Sequence, residues 1–222
     1  MKQQILKTKN THGGVRKGAG RPLKANRKGL PHLARPLIEK TSAVHVSWQL
    51  KETLITLNIS TKDFFELFRL AVMTAKKKGL KIIHYSIMEN HLHLIVEAQS
   101  SEELSRSLQS FALSLSKLVK NRFNGSLANL WNDRYFMQLL LSQREIKTAL
   151  QVVLKNPQTK LKKTTAFDKY SSILAMNSAL RKNLFPDQSF DESESLLKRF
   201  EAIKKEILSP ATSSLLKKVL GI

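Results

Sequence analysis

Two β-rich runs, LKIIHYSIM and HLHLIVEA, are separated only by the dipeptide Glu89-Asn90, and this spacing constrains the fold more than anything else in the chain. A gap that short leaves no length for a crossover, so the runs have to pair as an antiparallel hairpin. The neighbouring segments arrange themselves around it. AVHVSWQ, from Ala43, alternates and is β-rich, which predicts a strand. KDFFELFRLAVMTAKKK carries Phe64, Phe65, Phe68, Ala71 and Val72 at helical spacing, with Thr61 as its expected N-cap and Gly79 closing it. A second helix is expected from Ser100 or Ser101 to about Arg122, with Glu102 or Glu103 in its first turn. After the loop FNGS, residues 129–141 (NLWNDRYFMQLLL) supply a fourth strand. Ser142 and Glu145 then form a capping-box pattern for a third helix ending at Asn156-Pro157. The order β-α-β-β-α-β, then α, predicts an α+β domain over 41–157: a ferredoxin-like antiparallel sheet with helices on one face.

The flanks differ in composition. Residues 1–40 hold eleven Lys and Arg against one acid, Glu39, together with five of the eight glycines and three of the six prolines. Such a segment has little to bury and is expected to be a flexible, disordered basic arm. Residues 158–222 open on Lys160, Lys162 and Lys163 and then turn helical. SESLLKRFEAIKKEILS has apolar residues at 196, 197, 200, 203 and 207 behind a possible cap at Ser193, so two or three appended helices are expected. In total, 38 Lys and Arg stand against 17 Asp and Glu, a formal charge of +21. That excess points to a polyanion, nucleic acid first and an anionic membrane surface second. The absence of Cys excludes disulfides, thiolate zinc sites and a cysteine nucleophile. No apolar run nears the roughly 20 residues of a membrane span. The stretch MKQQILKTKNTHGG lacks the apolar core of a secretory signal, so a cytoplasmic protein is expected.

The sharpest local pattern is His91-Leu92-His93. In a strand, residues i and i+2 share a face, so both imidazoles project side by side while Leu92 and Leu94 face the core. Two adjacent imidazoles are a partial ligand set for a divalent metal; the plainer alternative is a solvated or hydrogen-bonded pair.

SIMENHLHLIVEA at the second turn of such a plan resembles the HUH-superfamily single-tyrosine transposases of bacterial insertion sequences, and is most similar to the REP-associated tyrosine transposase branch. HGGVRKGAGRP, AVHVSWQL, LWNDRYF and SQREIKTALQVVLKNP fall where those proteins carry similar pieces, so the likeness spans about 12–157. It implies a nucleoid-associated bacterial protein that cleaves and transfers single-stranded or hairpin DNA. In that family the histidines hold Mg²⁺ or Mn²⁺, and a tyrosine on the following helix attacks the phosphorus to leave a 5′-phosphotyrosine link. An Asn or Gln four residues after the tyrosine completes the metal shell. Carried over here, the metal ligands are His91, His93 and Asn156.

The tyrosine position, four before Asn156, is Val152, which has no nucleophilic atom. Either strand cleavage has been lost and a DNA-binding or regulatory protein remains, or the nucleophile is displaced. Tyr135, in NDRYF, and Tyr170 are the backup candidates, whereas Tyr85 precedes the histidines on a strand and is expected to pack. In the arm, Gly18-Ala19-Gly20-Arg21-Pro22 is similar to an AT-hook core, but Ala19 replaces its preceding arginine. Arg16, Lys17, Arg21, Lys24, Arg27 and Lys28 then either enter an A·T minor groove or hold phosphates in a flexible tail, with Arg134 beside Trp131 as a further DNA contact. The family includes monomers and homodimers, and both stay open. The competing class is a basic RNA- or ribosome-associated module on the same sheet. It calls for alternating aromatics on the sheet face, which HLHLIVEA lacks.

Overall fold

A computed structural model of the chain describes residues 35–123, 129–154, 171–172, 178–184 and 206–221. Four strands, β1 (Ser42–Gln49), β2 (Lys81–Ile87), β3 (His91–Ala98) and β4 (Phe136–Leu140), form one antiparallel sheet in the order β2-β3-β1-β4. Helices α1 (Thr61–Lys76) and α2 (Ser101–Arg122) connect β1 to β2 and β3 to β4. This is the ferredoxin-like α+β plan expected from the hairpin and its flanks.

The periods of the sequence decide what each face buries. Val44, Val46 and Trp48 of β1, with Leu92, Leu94 and Val96 of β3, point to the α1 and α2 side. There they meet Phe64, Phe65, Phe68, Leu104, Leu108 and Phe111, and Tyr85 packs against Phe65 and Phe68. Each such large apolar side chain contributes about 1.5–3 kcal/mol by leaving water. The opposite face is built differently. Ala43, Ile83, Ile95 and Leu140 make a second, smaller core with α3 (Gln143–Leu154), α4 (Ser178–Leu184) and α5 (Ser214–Leu220). This core covers only one end of that face.

Three local details add to or differ from the sequence expectations. The N-cap of α1 is Ser60, not Thr61: its extended backbone lets Oγ accept the Asp63 N–H at 3.0 Å. Serine caps better than threonine, and Asp63, three residues after Ser60, adds a carboxylate in the first turn. The basic end of α1 is tied down as well: Lys76 Nζ donates to the carbonyls of Glu206 (2.8 Å) and Leu208 (3.1 Å). Ile38, placed by composition in the arm, is buried in the main core, and its N–H donates to Ser101 Oγ at 2.9 Å.

Segment 206–209 also pairs with β2, where Ser209 N–H donates to the Ile82 carbonyl, and Ser172 N–H donates to the Tyr85 carbonyl. Both occupy the outer edge of β2, which would otherwise expose unpaired backbone groups. The basic arm up to residue 34, the end of the third helix at Asn156-Pro157 and the helix expected behind Ser193 lie outside the described residues. No helix among the described residues is long and apolar enough to cross a membrane.

Candidate functional site

Antiparallel register lays out the second face of the sheet in rows. Directly opposed residues share a face, so Ser86, His93, Ser47 and Phe136 form one row across β2, β3, β1 and β4. His84, Ile95, His45 and Gln138 form the next, and His91 with Gln49 lies beyond the first. His84 reaches this face through a β-bulge between Ile82 and His84. The apolar helices α3 to α5 cover the Ala43 and Ile95 end. The histidine end carries polar groups and is partly open: His91 and His93 are half-buried.

The rings of His91 and His93 lie nearly parallel, 17° apart, with centroids separated by 6.0 Å. Each is held through its Nδ1. His91 Nδ1–H donates to Asn90 Oδ1 at 2.8 Å, so that in the neutral ring Nε2 is the unprotonated nitrogen. His93 Nδ1 lies 3.2 Å from His45 Nε2, so one hydrogen is shared between these two nitrogens. Burial, together with the His45 and His91 rings, pushes the His93 pKa down to about 4, and burial also lowers that of His45. Both are therefore neutral near pH 7. When His93 is the donor, its Nε2 is bare like that of His91.

Two imidazoles with free Nε2 atoms and fixed Nδ1 partners fit the donor chemistry of a divalent cation. They are a partial set, since no group of three His, Cys, Asp or Glu suited to a metal occurs among the described residues. Asn156 lies outside the described residues, as do Tyr170 and the arm residues Arg16, Lys17, Arg21, Lys24, Arg27 and Lys28.

Val152 is 51 % exposed on α3 and borders a half-open cleft of about 310 Å³ whose floor includes His45. The position thus looks into space one residue removed from His93. Tyr135 is on the other side of the sheet, 9 % exposed, edge-on to Trp48 and with the Arg35 guanidinium 3.7 Å above its ring. Its packing does not bring it to the histidines, and Tyr85 is likewise in the main core. Arg134 is exposed just before β4, and Trp131 stacks on Trp48 at 4.3 Å and is partly buried.

A single histidine on a strand, such as His45 or His84, is most simply a packed or hydrogen-bonded side chain, and the sequence alone did not mark His45 as part of the site. Its parity on β1, opposite to Val44 and Val46, was the available signal. His84 does behave in that ordinary way. It is buried with Nδ1 3.1 Å from Ser172 Oγ, and burial takes its pKa to about 4.

The comparisons with known proteins bear on the fold and the family. A structure of a REP-associated tyrosine transposase bound to a REP hairpin superposes with a TM-score of 0.50 at 15% identity, over 74% of this chain and 94% of that one. A putative transposase from Deinococcus radiodurans R1 aligns at 14% identity over 57% of this chain and 95% of that one, but its TM-score of 0.37 is too low to bear on the fold. No curated protein matches the chain. The family described as "Transposase IS200 like" matches residues 41–153, the whole sheet with α1, α2 and nearly all of α3. The chain belongs to the IS200-like transposase family.

Proposed function

We propose that this chain is a DNA-binding member of its transposase family that engages single-stranded or hairpin DNA at the histidine end of the sheet and no longer cleaves it. The observation that carries this reading is the pairing of a site that keeps its histidines with a helix that lacks its nucleophile. His91 and His93 stand parallel with their Nδ1 atoms engaged, while Val152 borders the adjoining cleft. The REP-associated relative bound to a REP hairpin supports the choice of ligand, and the formal charge of +21 suits a phosphate backbone.

His91 and His93 would hold Mg²⁺ or Mn²⁺, with Asn156 as the third protein ligand. Such a cation, when bound, supplies charge neutralisation at a phosphate oxygen. The chain's own residues do the rest. Asn90 and His45 keep the imidazoles turned toward the phosphate, and neutral His93 adds no charge that would repel the cation. With valine at 152, the position expected to carry the tyrosine has no atom that can attack phosphorus. A DNA hairpin with single-stranded tails, titrated with and without Mn²⁺ and then run on a denaturing gel, tests the proposal. Metal-enhanced binding without a covalent adduct is expected. Absence of DNA binding, or tighter binding to an RNA hairpin of the same sequence, would refute it.

A further inference from the structure

The cleft beside the histidines has the parts of a nucleobase receptor, and we infer that it takes one unstacked base of the bound DNA single strand. This rests on the DNA reading above and deepens it.

Phe136 is 64 % exposed, although it sits in a strand of the sheet with its ring on the same face as the histidines. No aromatic ring stacks on it among the described residues. An exposed phenyl ring beside a cleft is a stacking surface for any base, because every base has a π-face. Gln138, two residues on and on the same face, lines the cleft as well. Its amide offers one acceptor and two donors, the complement of a base edge. Across the cleft, α3 presents Arg144 and Thr148, both exposed. Arg144 forms no ion pair among the described residues, so its guanidinium is available to a phosphate. The one acid of the cleft, Glu145, is committed elsewhere: Oε2 accepts the N–H groups of Leu141 (2.7 Å) and Ser142 (2.8 Å).

The register supplies the distance. Phe136, Ser47 and His93 are consecutive members of one row, so the Phe136 ring is two strand spacings, roughly 10 Å, from the His93 position. A strand whose phosphate lies at the histidines therefore has a neighbouring base over Phe136. The cleft, about 310 Å³, has room for a base. A DNA strand is favoured over an apolar protein segment because Gln138, Arg144 and Thr148 would leave that segment's partners polar and unmatched.

The test uses the full chain and a set of DNA hairpins carrying five-nucleotide single-stranded tails, each with one tail base removed to leave an abasic site. In the parent protein, one abasic position is expected to weaken binding roughly 5- to 150-fold, the range for loss of one stacked base. Phe136→Ala should cost a similar factor on intact DNA and nothing further on that abasic DNA, while Phe136→Trp should restore binding. Phe136 is exposed, so neither variant threatens the core, and circular dichroism verifies this. Equal losses for Phe136→Ala on every abasic hairpin, or no loss at all, would overturn the pocket while leaving DNA binding intact. A change in sedimentation coefficient of the free protein on Phe136→Ala would also overturn it, by showing that a second copy covers the ring. Failure of the parent to bind any hairpin is a separate result and defeats the DNA reading itself.

Discussion

His45 Nε2 lies 3.2 Å from His93 Nδ1, a contact between neighbouring rows of the sheet that joins β1 to β3 through side chains as well as backbone. The contact defines which nitrogen of His93 faces outward. A histidine whose Nδ1 hydrogen has a fixed acceptor presents Nε2 in one orientation, and losing such a partner typically costs 10- to 100-fold in metal affinity. His45→Phe, which keeps a ring in place and removes the acceptor, should lower Mn²⁺ affinity of the protein–hairpin complex by about that factor. His45→Gln can still accept through Oε1 and should retain most of it. Calorimetric titration of Mn²⁺ into the two complexes separates them, and equal affinities would show that His45 only packs.

The basic arm is expected to add affinity without specificity. Nine Lys and Arg and no acid lie in residues 1–34. Truncation after residue 34 spares Ile38, which belongs to the core, so the loss reports charge and not folding. The plot of log binding constant against log salt should flatten by about 0.7–0.9 for every phosphate contact removed. An unchanged slope would assign the phosphate contacts to the domain instead.

Much of this architecture is legible in the residues themselves. The length of the Glu89-Asn90 gap forces the hairpin, helical spacing in 64–72 identifies α1, and strand parity sets His91 and His93 on one face. These are local relations. What stays hidden depends on pairing between distant strands. His45 and His93 are 48 residues apart, and nothing local states that β1 lies beside β3 with Ser47 opposite His93. The same holds for Ser172, 88 residues from the His84 it caps, and for Phe136, whose exposure follows from the end of the row it occupies. Asn156, the expected third ligand, falls just beyond the described residues of α3.

Stability should fall in mild acid because of His84. Its pKa is about 4 in the folded chain, where burial excludes the imidazolium, against about 6.5 when unfolded. Between those values the unfolded state binds more protons, so stability decreases as pH drops from about 6.5 to about 4 and levels off below. The full effect is roughly 3 kcal/mol for this one group. Urea unfolding at a series of pH values should show a shallower dependence for His84→Asn, though not a flat one, since His93 and His45 are also held neutral. Parallel curves for parent and variant would locate the acid sensitivity elsewhere.

Glu97, 2 % exposed, anchors the C-terminal helix to the sheet. Its carboxylate accepts the N–H groups of Thr212 (2.9 Å) and Ser213 (2.8 Å) and the Thr212 hydroxyl, just before α5 begins. Removing it leaves those N–H groups without acceptors, at about 2–3 kcal/mol for charged hydrogen bonds. Glu97→Ala should therefore raise hydrogen exchange in 214–220 before it affects the main core. Uniform exchange across both regions would mean that α5 is not a separable unit.

Val152 stands where the resemblance places a tyrosine, so the nucleophile can be tested there. Valine there is half-exposed and borders open space, so a larger ring meets no tight packing. Val152→Tyr places a phenol on the cleft that adjoins His45, one hydrogen bond from His93. If the imidazoles still position a phosphate, attack geometry and charge stabilisation exist before the nucleophile is supplied. The parent should give no protein–DNA adduct under denaturing conditions. The variant should give one that depends on Mn²⁺ or Mg²⁺ and disappears in Val152→Tyr combined with His93→Ala. A folded, DNA-binding variant without adduct would show that the surviving histidines no longer align a phosphate with α3. An adduct on the parent mapped to Tyr135 or Tyr170 would instead make this chain a working nuclease with its nucleophile moved, and the silent reading would be wrong.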